Sequence, residues 1–130
     1  MRDLLAGITA EQALIRPLPK AHCIWELLLH MDAWTSAAFD ATMGAPMPKL
    51  FRTPQDWPAP ADTSIAAWQG AVSHFFLIAE RFALAIAEFP DVRLAEKVPG
   101  RKYDFYFLFH GIVQHNLYHA GQIALLKKAL

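Results

Sequence analysis

The chain has 130 residues, of which 55% are hydrophobic and 12% aromatic, so it is too apolar to be disordered and long enough for one buried core. Twelve basic residues balance twelve acidic ones. This neutral balance argues against binding to nucleic acid or to anionic lipid, because both need an excess of positive charge. The composition therefore predicts a single globular domain over residues 1–130.

Three features predict a protein of the cytoplasm. No apolar run reaches the roughly 18 to 20 residues that cross a bilayer, so we expect no membrane segment. The N-terminal residues are too few and too acidic to form a signal peptide. The single cysteine, Cys23, cannot form an internal disulfide, as is typical of a reducing compartment.

The first half of the chain contains one long predicted helix. Residues 1–16 hold only weak helical signals, and the first long apolar-periodic segment runs from about Cys23 to Met43. The linker from Gly44 to Pro60 then contains five prolines. Fully extended, it reaches about 55 Å, whereas a helix of this length spans about 32 Å. The next helix can therefore run parallel to the first after a crossover.

Two further long helices are predicted in the second half. One runs from about Thr63 to Phe89, with Asp62 or Thr63 as its N-cap. The last runs from about Asp104 to Leu130 and ends on lysines that suit the helix dipole. In the helix from Thr63 to Phe89, periodicity predicts a buried face made of Ile65, Trp68, Val72, Phe76, Ala79 and Ala83.

The last helix places two histidines on its inward face. At 100° per residue, one stripe contains Leu108, Ile112, His115, His119, Ile123 and Leu126. His115 and His119 are neighbours at positions i and i+4, a spacing at which two imidazoles can bind one metal ion. Gly111, one turn earlier, leaves room for a metal or a substrate.

The first long helix supplies a third inward histidine. His30 lies in the middle of a stripe formed by Cys23, Leu27, His30, Trp34, Ala37 and Ala41. His74 and His110 point away from the inward faces, and His22 lies at a helix start. We therefore expect these three to be surface or capping residues.

A buried histidine is more often a hydrogen-bonded core residue than a ligand, and one His-x-x-x-His pair is a weak signal. Three inward imidazoles, however, carry six ring nitrogens, for which an apolar stripe offers no partners. A metal ion would satisfy three of them, so the spacing favours a metal site at His30, His115 and His119.

Glu26 has two interpretations: it orients His30, or, more commonly, it forms a capping box with Cys23.

The sequence resembles the DinB-like superfamily, which includes the bacillithiol transferases. The resemblance rests on Ile24-Trp25-Glu26-Leu27-Leu28-Leu29-His30 and on Gln114-His115-Asn116-Leu117-Tyr118-His119-Ala120-Gly121-Gln122-Ile123. The second motif is the specific one, since the closing helix of the family typically has His-x-x-x-His followed by Gly-Gln-Ile.

The resemblance implies an all-α fold, a four-helix bundle in up-down-down-up order, which agrees with the long proline-rich crossover expected between helices 2 and 3. The chain departs from the family in its shortened first helix. It implies that His30, His115 and His119 bind zinc or nickel. Either the start of the chain is truncated, or the fourth side of the bundle is left open. An open apolar groove would favour a homodimer.

The expected function is metal-dependent transfer of a low-molecular-weight thiol to a small electrophile, with Trp34 and Tyr118 as candidate pocket walls. One alternative is a metal-dependent hydrolase. Another is a non-catalytic module braced by a structural metal, which would need a closed four-ligand shell.

Overall fold

The computed structural model describes all residues 1–130 and contains α-helices without β-strands. The helices are α1 (Arg2–Leu5), α2 (Ala10–Leu14), α3 (Ile24–Thr42), α4 (Ile65–Ala87) and α5 (Phe105–Lys127), and Asp91–Arg93 adds a short 3-10 turn. The all-α prediction is confirmed. The three long predicted helices are also confirmed, with bounds that differ by one to three residues.

Side-chain caps define the starts of the long helices. The carboxylate of Glu26 accepts a hydrogen bond from the backbone N–H of Cys23 at 3.1 Å, so the capping interpretation of Glu26 is confirmed. The predicted cap of α4 was wrong: Ser64 is the N-cap, and its Oγ accepts from the N–H of Ala67 at 3.2 Å. Asp62 instead accepts from the N–H of Ser64 at 2.8 Å, which fixes the chain just before the helix.

Helices α3 and α4 lie side by side and run in the same direction. Their contacts advance together along both helices: Trp25 with Trp68 (ring centroids 5.2 Å apart), Asp32 with His74 (2.8 Å), and Phe39 with Arg81 (4.8 Å). Two parallel helices that follow one another in the chain need a connection as long as a helix. Residues 43–64 lie between the two helices in the chain.

Helix α5 packs on α3 in the opposite direction. His30 contacts His119 with ring centroids 4.7 Å apart, whereas Trp34, one turn later in α3, contacts His115 at 5.7 Å. The inward stripes predicted for these two helices are confirmed, since their residues are buried except for the half-buried Trp34 and His115.

The N-terminal region forms two short helices rather than one shortened helix. Gly7, at φ +77°, breaks the chain between α1 and α2, a conformation that glycine adopts without a steric penalty. The side chain of Trp68 donates to the carbonyl of Ile8 at 2.8 Å, and the Lys127 ammonium donates to the carbonyls of Leu4 and Ala6 at 2.8 Å each. These bonds attach the N-terminus to α4 and α5.

The buried face predicted for α4 was largely wrong. The buried residues are Trp68, Phe75, Ile78 and Phe82, while Ile65 is 69% exposed. Leu77 and Leu84 are also apolar but exposed, so the apolar period did not identify the face that packs on α3. By length and composition alone, α4 is also apolar enough to cross a membrane, which differs from the expectation of no membrane segment. Core helices of soluble proteins pass the same test but are mostly buried, whereas 17% of the apolar window of α4 is buried.

Candidate metal centre

The structure brings His30, His115 and His119 together. His30 projects from α3, and the other two project from successive turns of α5. One ring nitrogen from each lies within 4.8 Å of the others, so the group could hold a metal ion. His30 and His119 are each only 5% exposed. The geometry therefore gathers the three histidines that the sequence singled out.

The backbone of the proline-rich connection determines the proton position on His30. The Nδ1–H of His30 donates to the carbonyl oxygen of Asp56, and a carbonyl can only accept. Nδ1 therefore carries the proton and Nε2 has a free lone pair. The Asp56 carboxylate in turn accepts from Trp34 Nε1 at 2.9 Å and from the backbone N–H of Arg52 at 3.0 Å.

A chain of hydrogen bonds determines the proton position on His115. Thr35 donates its hydroxyl to the carbonyl of Met31 at 2.7 Å, so its oxygen accepts from the amide nitrogen of Asn116 at 3.1 Å. The amide oxygen of Asn116 then faces Nδ1 of His115 at 3.2 Å and accepts from it. Nε2 of His115 is again the unprotonated nitrogen.

Gln122 has the same role at His119. Its amide nitrogen donates to the hydroxyl of Tyr118 at 3.2 Å, which turns the amide oxygen toward Nδ1 of His119 at 2.6 Å. The Nδ1–H donates to that oxygen, so Nε2 is free to act as a ligand.

All three histidines thus present an unprotonated Nε2, which is the form that binds metal ions. The Nε2 atoms of His30 and His115 lie 2.8 Å apart. Two lone pairs this close repel each other unless a cation lies between them. The donor set and its hydrogen-bonded supports therefore fit a divalent metal ion.

Burial keeps these rings neutral. Removal from water lowers the pKa of His30, His115 and His119, because it disfavours the charged form. The pKa of His115 falls to about 4, with the two neighbouring histidines contributing to the shift. Near neutral pH, protons therefore do not compete for these nitrogens.

Trp57, in the proline-rich connection, stacks between two histidines. Its ring lies 3.8 Å from that of His30 on one side and 3.7 Å from that of His22 on the other, with interplanar angles of 5° and 3°. The prediction for His22 was therefore incomplete, because this residue contacts the site through Trp57. His74 and His110 are exposed, as expected: His74 binds Asp32, and His110 donates to the carbonyl of Tyr106.

A cavity of about 750 Å³ opens at the histidines. His30, His115 and Trp34 line one end, and Gly111 lines its wall, where an added Cβ would meet only open space. Trp34 is thus a pocket wall, as predicted. Tyr118 is not, since it is 65% exposed and lies outside the cavity.

We expect Asp56→Ala to lower metal affinity about 10- to 100-fold, the usual cost of losing a group that supports a ligand. The carboxylate holds Trp34 and the N–H of Arg52, which lies in the left-handed region at φ 61°, so its loss would release the segment that contacts His30. Calorimetric titration with zinc measures the change. The exposed Asp40→Ala, on the same helix as His30, is the matched control; equal affinities for both variants would contradict the prediction.

Three convergent histidines, of which His30 and His115 line an apolar cavity, define a helical protein with a candidate metal centre. The family model described as the DinB superfamily matches residues 1–123, and the chain belongs to that superfamily. This match confirms the resemblance seen in the sequence. No curated protein and no solved structure gave a match.

Proposed function

We propose that the protein binds a divalent metal ion, zinc or nickel, through His30, His115 and His119, and uses it to transfer a low-molecular-weight thiol to a small electrophile. Imidazole nitrogens suit both metals. When bound, the ion would supply Lewis-acid chemistry, which makes a thiolate available at neutral pH. The protein's own contribution is to hold three neutral imidazoles in place and to enclose the reactants.

One observation carries the proposal: the histidine group has three members, and two of them, His30 and His115, line a cavity. A metal that only braces a protein is surrounded by four protein ligands, whereas a catalytic site keeps a position open. Here the group contains no fourth side chain, and the cavity of about 750 Å³ has the size of a small-molecule site. This favours catalysis over the structural-metal alternative.

The lining of the cavity favours thiol transfer over hydrolysis. A hydrolase commonly needs a carboxylate or another base to move protons. The one carboxylate in the lining is that of Asp56, which is 5% exposed and already accepts two hydrogen bonds. A metal-bound hydroxide would need no base for its attack either, but a hydrolase must then protonate an alkoxide or amine leaving group. A thiol instead loses its proton to solvent and displaces a halide, which leaves as an anion without a proton donor.

An assay of the zinc- and nickel-loaded protein tests the proposal. We expect 2-mercaptoethanol or cysteine to form conjugates with bromobimane or 1-chloro-2,4-dinitrobenzene faster than without protein, and His115→Ala to abolish the difference. The His110→Ala variant is the control. Cleavage of 4-nitrophenyl acetate without thiol would instead favour the hydrolase. If neither reaction occurs with metal bound, the catalytic proposal is wrong.

For the fold, we propose the up-down-down-up order of a four-helix bundle over a single domain, residues 1–130. In this arrangement α1 and α2 take the place of the first helix, and residues 43–64 form the crossover. The parallel contacts of α3 with α4 and the opposite direction of α5 support this order.

We also propose a homodimer through the outer face of α5. Tyr106, Val113 and Leu117 lie on one stripe of this helix and are 57%, 53% and 67% exposed. Burial of such a stripe against a second copy would remove it from water. Light scattering should give twice the monomer mass, and Leu117→Glu should halve it; a monomeric wild type would contradict this proposal.

Location in the cytoplasm, without a nucleic-acid or membrane partner, is likewise a proposal. It is supported by the neutral net charge and by the free, buried Cys23. Cell fractionation would test it.

A further inference from the structure

The cavity that His30 and His115 line also contains two cationic side chains, those of Lys49 and Arg101. Its charged lining residues are Lys49, Asp56 and Arg101. The Asp56 carboxylate is turned toward His30, with Oδ1 3.4 Å from Nδ1 of that ring. It already accepts hydrogen bonds from Trp34 and from the backbone N–H of Arg52. Lys49 and Arg101 form no ion pair with any carboxylate of the chain. The charge that the cavity offers to a ligand is therefore positive.

Two loops build this cationic part and are bonded to each other. The backbone N–H of Met47 donates to the carbonyl of Pro99 at 2.9 Å, and the guanidinium of Arg101 donates to the carbonyl of Pro48. Gly100, at φ +77°, allows the tight turn that precedes Arg101. The bond to Pro48 uses one of the five guanidinium N–H groups, which leaves donors for a planar, two-oxygen acceptor.

Between the cations and the histidines the walls are apolar. Phe51 and Phe107 line the cavity and are 68% and 62% exposed, and Leu108 and Ile112 form buried wall beside them. Exposed phenylalanine rings at a cavity gain free energy when an apolar ligand covers them. A fitting ligand therefore combines an apolar body with an anionic group.

We propose that the cavity binds a small aromatic or alkyl carboxylate. Its carboxylate lies at Lys49 and Arg101, its apolar body contacts Phe51 and Phe107, and its other end points toward the histidines. This inference rests on the proposed function, since it names the class of substrate that the same cavity would take.

Calorimetric titration of the full chain with 4-phenylbutyrate and with the uncharged 4-phenylbutanamide tests this inference. We expect the carboxylate to bind about tenfold more tightly than the amide, the size of one charge-assisted contact. Arg101→Gln should remove most of this preference, and Lys49→Gln part of it. Arg93→Gln, at an exposed arginine paired with Glu96 outside the cavity, should leave it unchanged.

The Arg101→Gln variant also loses the hydrogen bond to the carbonyl of Pro48, so it could weaken binding by loosening the loops. Lys49 makes no side-chain hydrogen bond, so Lys49→Gln changes the charge without this structural effect. The inference is wrong if the two ligands bind with equal affinity, or if neither binds at its solubility limit. It is also wrong if the variant that combines Lys49→Gln with Arg101→Gln keeps the preference for the carboxylate. Titrations of metal-free and zinc-loaded protein separate the two proposals. Carboxylate preference without zinc binding would contradict only the metal proposal, and zinc binding without that preference would contradict only this one.

Discussion

Protein carrying His119→Ala should bind neither zinc nor nickel at concentrations that saturate the wild-type chain, and His115→Ala should behave in the same way. Each variant removes one of three converging nitrogens. The supports of such ligands are worth about 10- to 100-fold in affinity, so loss of a ligand itself should cost more than about 100-fold. Elemental analysis of the purified protein gives the metal content, and calorimetric titration gives the affinity.

His110→Ala is the matched control for this experiment. His110 lies on the same helix and is exposed, and its ring is bonded to the carbonyl of Tyr106 in the preceding turn. We expect this variant to keep its metal. His115→Ala or His119→Ala protein that still binds one ion per chain with wild-type affinity would show that the site was assigned to the wrong residues.

The metal-free protein should lose stability as the pH falls from about 6.5 toward 4. In an unfolded chain, histidine has a pKa of about 6.5. In the folded protein, burial lowers the pKa of His30, His115 and His119, that of His115 to about 4. Within this window the unfolded state binds more protons than the folded state, so acid favours unfolding. Above about pH 7 both states are neutral and the contribution of these groups is flat.

Urea unfolding of metal-free protein at a series of pH values measures this effect. The difference between wild type and His115→Gln reports the contribution of His115, because the two proteins differ only at that residue. We expect the variant to show a shallower loss of unfolding free energy between pH 6.5 and 5. Equal slopes for wild type and His115→Gln would contradict the lowered pKa.

Although α5 also has an exposed apolar stripe of Tyr106, Val113 and Leu117, the inward faces of α3 and α5 could be predicted from the sequence because each is an apolar stripe that contains histidines. On both helices the histidines interrupt that stripe, which is why they stood out as buried polar groups. The same reasoning failed on α4, where Leu77 and Leu84 are apolar but 54% and 63% exposed. A helix with apolar residues on several sides, and with no histidine inside an apolar stripe, does not show from its sequence which face packs.

The supports of the histidines were harder to find. Asp56 and Trp57 meet His30 from 26 and 27 positions away in the chain, across a segment without periodicity. The only sequence signal was a tryptophan in a proline-rich linker, which needed burial. Asn116 and Gln122 lie next to the ligands on α5, but the direction of an amide depends on partners such as Thr35, which only the folded packing brings together.

Asp56 and Trp57 belong to the long connection between α3 and α4, and both contact His30. We therefore expect attachment of this segment and metal binding at the proposed site to depend on each other. If residues 44–60 detach, His30 loses the acceptor that fixes its proton and the ring that stacks on it. By reciprocity, an ion bound at His30 makes detachment of this segment less favourable. The rate at which a protease cuts between Gly44 and Pro60 would then report how much of the protein carries metal.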